Sequence, residues 1–190
     1  MPIIIDAHED LAESGLTYGR DYLLSAHETR QRERGSFAEQ HNGQTVLGWP
    51  DYQRGQVAVV FGTLFLAAEK YRIGDFGRFY YNSLDQAYQL YRQQLDYYLY
   101  LFENHPDKFR QIRTRPQLHE LLKLWNDHPV HYPDETNPVG LVLLMESAEG
   151  IRSLDELQEW WNAGLRIIGP VWAGSRFCGG SFENGAFTQE

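Results

Sequence analysis

Apolar residues along this chain follow two rhythms, and the two alternate. Unbroken apolar runs occur at Ile3 to Ala7, Gln56 to Leu66 (QVAVVFGTLFL), Val139 to Met145 (VGLVLLM) and Leu165 to Val171 (LRIIGPV). Short runs of this kind predict strands buried on both faces, as in a parallel sheet. Gly55 supplies the turn before the second run. Between the runs lie helical repeats. Leu84, Ala87, Tyr91, Leu95, Tyr98 and Phe102 share one face of a helix predicted over Ser83 to Asn104. Ser83 and Gln86 form a capping box at its start, and His105-Pro106 ends it. Its aromatic stripe reads as core packing. Thr114 and Gln117 repeat the box for a helix from Thr114 to Trp125, with Pro116 in its first turn. Ser153 and Glu156 repeat it once more for a helix from Ser153 to Ala163, stopped by Gly164.

Two stretches lack either rhythm. Ser14 to Trp49 is polar, with the charge-rich segment Glu28-Thr29-Arg30-Gln31-Arg32-Glu33-Arg34, and reads as a long solvated loop with some helix. Asn126 to Pro138 is a proline-rich loop, and from Trp172 to Glu190 the chain is glycine-rich. Strand alternating with helix predicts an α/β fold with a parallel sheet and right-handed crossovers. Functional groups in such sheets gather at the carboxyl ends of the strands.

Polar residues do gather there. His8-Glu9-Asp10 follows the first strand, Glu146 follows the third, and Trp172 follows the fourth. Residues i and i+2 of a strand face the same way, so His8 and Asp10 form an imidazole–carboxylate pair suited to a divalent cation such as zinc. Asp6, one strand-step earlier, is placed to orient the imidazole. A carboxylate behind a buried strand is unfavourable unless paired, and a metal ion supplies that pairing for Glu146. The plainer readings are a strand that happens to end in polar residues, and a Glu146 paired with an arginine such as Arg152.

Composition narrows the classes. The 190 residues suit one domain or part of a larger one, and 42% hydrophobic with 23% charged residues indicates a globular chain. A net charge of -9 excludes nucleic acid or an anionic membrane as the main partner. The single cysteine, Cys178, rules out an internal disulfide and a cysteine-built zinc site, and fits a reducing compartment. The sequence contains neither a signal-peptide pattern nor an apolar stretch long enough to span a membrane, so a cytoplasmic location is expected. No glycine fingerprint follows the first strand and there is no P-loop. His27 and His41 fall in the polar stretch, His105 at a helix end, and His119, His128 and His131 on or after the helix that starts near Thr114. His128 and His131 have a ligand-like spacing of three but flank Pro129 in a loop.

The stretches IIIDAHEDLAES, LGWPDYQRGQVAVVFGTLF, VGLVLLMESAEGIRSLDEL and WWNAGLRIIGPVWAG, in this order and spacing, resemble the metal-dependent membrane (renal) dipeptidases and their bacterial relatives. The resemblance implies a TIM-type (β/α)8 barrel with two zinc ions at its carboxyl-end mouth. It assigns His8 and Asp10 to one ion and makes Glu146 the bridge between both and the catalytic carboxylate. It implies hydrolysis of dipeptides by a hydroxide held between the metals. Two positions depart from the family pattern. Trp172 stands where many members carry a substrate-binding histidine, which makes it the candidate substrate contact here. The family's Glu-Gly-Gly-His run is Glu146-Ser147-Ala148-Glu149 in this chain.

A complete barrel of this kind takes roughly 250 residues. The resemblance therefore covers about the first four strand-helix units of a single barrel domain. The family's two further metal-binding histidines, on the fifth and sixth strands, and its acid/base aspartate near the eighth have no counterpart here. The expectation is the amino-terminal part of a zinc-dependent dipeptidase, with little or no turnover by these residues alone. The alternative is a truncated or degenerate non-catalytic relative, or a half-barrel that completes itself with a partner chain, a homodimer included.

Overall fold

The structure is a computed structural model and describes residues 2–72, 74, 78–181 and 185–187. Its main sheet is wholly parallel. Strand β1 (Ile4–Glu9) pairs with β2 (Val57–Leu64), and β2 pairs with β6 (Val139–Glu146). The far edge of β6 is shared end to end. The short β5 (Phe109–Gln111) pairs with Val139 to Leu141, and β7 (Leu165–Gly169) pairs with Leu143 to Glu146. A separate two-stranded sheet joins β3 (Ala67–Ala68) to β4 (Tyr80–Tyr81). The four expected strands are present within a few residues of their expected bounds. Strand β5 carries too few apolar residues to show a rhythm of its own.

Among the described residues the sheet is open rather than a closed barrel. Its centre matches the expectation of strands covered on both faces: β2 and β6 are buried along most of their length. Its edges do not. In β1, Ile4 and Ile5 are 48% and 52% exposed, and in β7, Ile167 and Ile168 are 38% and 42% exposed. The first strand is therefore not buried, because among the described residues no further strand covers its outer side.

Helix α5 (Leu84–Asn104) lies across the back of the sheet and buries Ala87, Tyr91, Gln94, Leu95, Tyr98 and Leu101. Ser83 caps it by accepting the Gln86 N–H. The expected box does not close, because the Gln86 side chain accepts from Asn82 rather than Ser83. The box of α6 (Arg115–Asp127) does close: Thr114 accepts from Gln117 N, and Gln117 accepts from Thr114 N. The third expected box fails. Residues Leu154–Glu156 form a 3-10 turn before α7 (Leu157–Ala163), and Ser153 makes no side-chain cap. Glu156 instead accepts from the Arg152 N–H and guanidinium, a stronger, charge-assisted partner. Gly164 ends α7 in the left-handed region, as expected.

The polar stretch after β1 is the largest departure. It holds α1 (Leu11–Tyr18), α2 (Ala26–Glu33), α3 (Phe37–Asn42) and α4 (Trp49–Gly55). A full capping box starts α2: Ser25 Oγ accepts from Glu28 N, and Glu28 accepts from Ser25 N. Arg20 fastens this region. Its buried guanidinium holds Glu33 through two bonds of 2.8 and 3.1 Å, Asn42 at 2.6 Å and the Gly43 carbonyl at 3.1 Å. A buried ion pair, rather than an apolar stripe, organises α2 and α3, so hydrophobic rhythm does not reveal them. The glycine-rich stretch beyond Trp172 includes residues 182–184 and 188–190, which lie outside the described residues. No helix among the described residues is long and apolar enough to cross a membrane.

Candidate metal centre

Strands β1 and β6 are not neighbours; β2 runs between them. Even so, their carboxyl ends bring His8, Asp10 and Glu146 together. The His8 Nε2 atom lies 3.6 Å from Asp10 Oδ1 and 3.5 Å from Glu146 Oε2. One ligand atom from each of the three falls within 4.8 Å of the others. Two local features produce this convergence. The pairing of β1 with β2 shifts between Asp6 and Glu9, so β1 holds an extra residue in that interval. A bulge of this kind re-aims side chains at the rim of a sheet. Asp10 then ends the strand as the N-cap residue of α1 without capping it through its side chain, which leaves the carboxylate free to turn inward.

The position of Asp6 differs from expectation. Its carboxylate accepts the backbone N–H of His8 at 3.0 Å and so steadies the peptide rather than the imidazole. Glu146 is not partnered by Arg152, which binds Asp85 and Glu156 instead. Trp172 lies beyond β7 with its ring edge-on to Phe65, centroids 5.4 Å apart, and Phe65 directly follows β2.

Charge in the cluster is one-sided. Burial pushes the carboxyl groups of both Asp10 and Glu146 above their ordinary range. Asp10 has 40% of its side chain exposed, yet its Oδ1 is sealed from water and has no hydrogen-bond partner. Separations of 3.5 and 3.6 Å are too long for hydrogen bonds to His8. They match the spacing of ligands around one small cation: zinc bonds of about 2.0–2.1 Å in a tetrahedral shell set ligand atoms about 3.3 Å apart. The donor set, one imidazole and two carboxylates, also suits zinc. The residues present therefore fit a divalent metal. No second group of three possible ligands occurs among the described residues. A cavity of about 660 Å³ beside Asp127, His128, Asp134 and Glu135 holds no such group.

A cavity of about 250 Å³ opens next to His8 and Asp10, lined also by Ser14, Tyr22, Thr45 and Leu47. At its base Glu9 is buried and accepts a short hydrogen bond from the Tyr52 hydroxyl. Burial raises the Glu9 pKa to about 8. Strain marks the other side of the centre. Ser147 and Ala148, directly after Glu146, have φ of 73° and 51°. These are the positions where the resembled family carries glycines, and left-handed backbone in a non-glycine residue is held only by its surroundings. Sequence reading missed Glu9, Tyr52 and Gln94. A polar Gln94 in the middle of the apolar face of α5 was the available signal.

The sequence matches no family profile and no curated protein. Solved structures do match. A dipeptidase of metallo-peptidase family M19 aligns with 93% of this chain at 19% identity and a TM-score of 0.58. A metallo-peptidase from Rhodobacter sphaeroides, liganded with a phosphinate mimic of the dipeptide L-Ala-D-Ala, aligns equally far at 19% identity and a TM-score of 0.59. The chain shares its fold with the metallo-dipeptidases. It spans 45% and 48% of the lengths of those two proteins. The probable dipeptidase PvdM from Pseudomonas aeruginosa aligns over 70% of the chain at 14% identity and a TM-score of 0.52.

Proposed function

We propose that this chain forms part of a zinc-dependent dipeptidase, and that residues 1–190 are the amino-terminal portion of one metallo-hydrolase barrel. The observation that carries the reading is the convergence of His8, Asp10 and Glu146 around a buried Asp10 Oδ1 that accepts no hydrogen bond, at the mouth of a parallel sheet. The dipeptidase fold of the structural neighbours supports the substrate class.

In this reading His8, Asp10 and Glu146 would hold the zinc that the site binds. Bound zinc supplies Lewis acidity and makes water a competent nucleophile near neutral pH, which is what amide hydrolysis requires. The side chains of this chain hold and orient. His8 provides a neutral ligand, and Asp10 and Glu146 provide the anionic charge that a divalent cation needs. The wall of Ser14, Tyr22, Thr45 and Leu47 borders the space beside His8 and Asp10 where a small peptide fits. Trp172, edge-on to Phe65 just after β2, is the proposed substrate contact.

Titration of the 190-residue chain with zinc, followed by calorimetry, tests the reading. Saturable binding is expected, and His8→Ala should abolish it. Wild-type protein that binds no zinc, or His8→Ala protein that binds it equally well, overturns the proposal. A second reading has its own support in the four exposed edge isoleucines. It treats the chain as a half-barrel that has no turnover until further polypeptide covers β1 and β7.

A further inference from the structure

Helix α5 carries three polar side chains on the face it turns to the sheet. Tyr91, Gln94 and Tyr98 are spaced three and four residues apart, which stacks them on one stripe. All three are completely buried. Each reaches backbone at the carboxyl end of a strand. The Tyr98 hydroxyl lies 3.0 Å from the Thr63 carbonyl and 3.5 Å from the Glu9 carbonyl, and it accepts the Ala12 N–H at 3.4 Å. Gln94 clamps Phe65 from both sides: its Nε2 donates to the Phe65 carbonyl at 2.6 Å, and its Oε1 accepts the Phe65 N–H at 2.9 Å. Tyr91 donates a short hydrogen bond to the carbonyl of Glu146.

Packing alone does not call for these groups; phenylalanine or leucine would fill the same volume without a polar atom to satisfy. Two glycines confirm that the rings are seated close to the backbone. A Cβ on Gly62 in β2 would come within 2.9 Å of the Tyr98 ring, and one on Gly150 within 2.1 Å of the Tyr91 ring. Glycine at such points marks close approach of one element to another. The contacts are placed where they matter for the metal centre. Ala12, whose N–H bonds the Tyr98 hydroxyl, lies two residues after Asp10, and the carbonyl bonded by Tyr91 belongs to Glu146 itself.

We infer that Tyr91, Gln94 and Tyr98 are positioning residues, which act as one template along α5 to fix the spacing of His8, Asp10 and Glu146 for a metal ion. The inference rests on the metal reading of that triad. It assigns to a helix behind the sheet the task of holding three strand mouths in register, so that ligands from non-adjacent strands meet. Partners behind a ligand typically change metal affinity 10- to 100-fold when removed.

The test uses the 190-residue chain and zinc alone. Tyr91→Phe and Tyr98→Phe remove one hydroxyl each with little change of volume. Each variant is expected to bind zinc at least about tenfold more weakly at a temperature where circular dichroism shows it folded. The visible absorption of bound Co2+, which reports ligand geometry, is expected to change in the same variants. Tyr97→Phe is the control. Tyr97 lies on the same helix and its hydroxyl donates to the Arg20 carbonyl at 3.3 Å, away from the strand ends. Its loss should leave zinc affinity and the Co2+ spectrum unchanged, whatever it does to stability. Gln94→Met provides the same test should a tyrosine variant fail to fold. Wild-type zinc affinity in folded Tyr91→Phe and Tyr98→Phe protein, or an equal loss in Tyr97→Phe, overturns the inference while leaving the metal reading intact. A wild-type chain that binds no zinc removes both.

Discussion

Glu9 sits between two candidate ligands in sequence and behaves unlike either. Its side chain is buried and takes a hydrogen bond from Tyr52. Burial raises its pKa from 4.5 to about 8, so the folded state prefers the protonated form. That preference stabilises the protein fully below the unfolded value and is lost as pH rises through the folded one. Glu9→Gln keeps an acceptor for Tyr52 and removes the titration. Unfolding free energies from urea denaturation should therefore fall less between about pH 5 and about pH 8 in Glu9→Gln than in wild type, by a difference of a few kcal/mol. Parallel pH profiles for the two proteins would show that Glu9 is not protonated in the fold. Asp10 and Glu146 shift in the same direction and are present in both proteins, so the difference between the profiles reports the titration of Glu9 together with its coupling to Asp10.

At the scale of elements, the chain uses two kinds of fastening. Strands and long helices are held by apolar faces, and the sequence shows them plainly. The segment between β1 and β2 is held by Arg20, whose guanidinium joins Glu33 on α2 to Asn42 on α3. Both partners of the ion pair are nearly closed to solvent. Arg20→Met should destabilise the protein by about 3–5 kcal/mol, because it leaves the Glu33 carboxylate buried without a partner. Chemical denaturation measures this, and pairing Arg20→Met with Glu33→Gln should recover part of the loss. A change under about 0.5 kcal/mol in the single variant would mean that α2 and α3 stand without it. The same contrast explains which caps were legible. Thr114 with Gln117 forms a box even though Gln117 Oε1 also accepts the Arg113 N–H, because the shared acceptor still reaches Thr114 N at 3.0 Å. Ser153 with Glu156 does not, because Arg152 lies closer to Glu156 and carries a charge.

For the molecule as a whole, the open edges dominate. Parallel sheets are normally shielded on every side, and an uncovered edge strand invites pairing with another chain. Ile5 on β1 and Ile168 on β7 stand on opposite edges of the sheet, both substantially exposed. The double variant Ile5→Lys with Ile168→Lys should lower concentration-dependent association in light scattering. It should shift the unfolding free energy by no more than about 1 kcal/mol, since about half of each residue is already exposed. Undiminished association would place the contact elsewhere, with exposed Leu154 and Trp161 as the next candidates.

The sequence by itself determined the alternation of strand and helix, the central strands β2 and β6, the long helix α5, and the three residues of the candidate centre. These follow from periodicity and from polar residues at strand ends, which are local properties. Only the tertiary structure decided that His8 meets Glu146 across an intervening strand, that Asp6 serves a peptide rather than a ring, and that Tyr91, Gln94 and Tyr98 bond backbone at the strand ends. It also decided that β1 is an edge and that a buried arginine builds helices where the chain reads as loop. Those outcomes depend on which distant groups come within a few ångströms of one another, and neither spacing nor hydropathy along a chain encodes that distance.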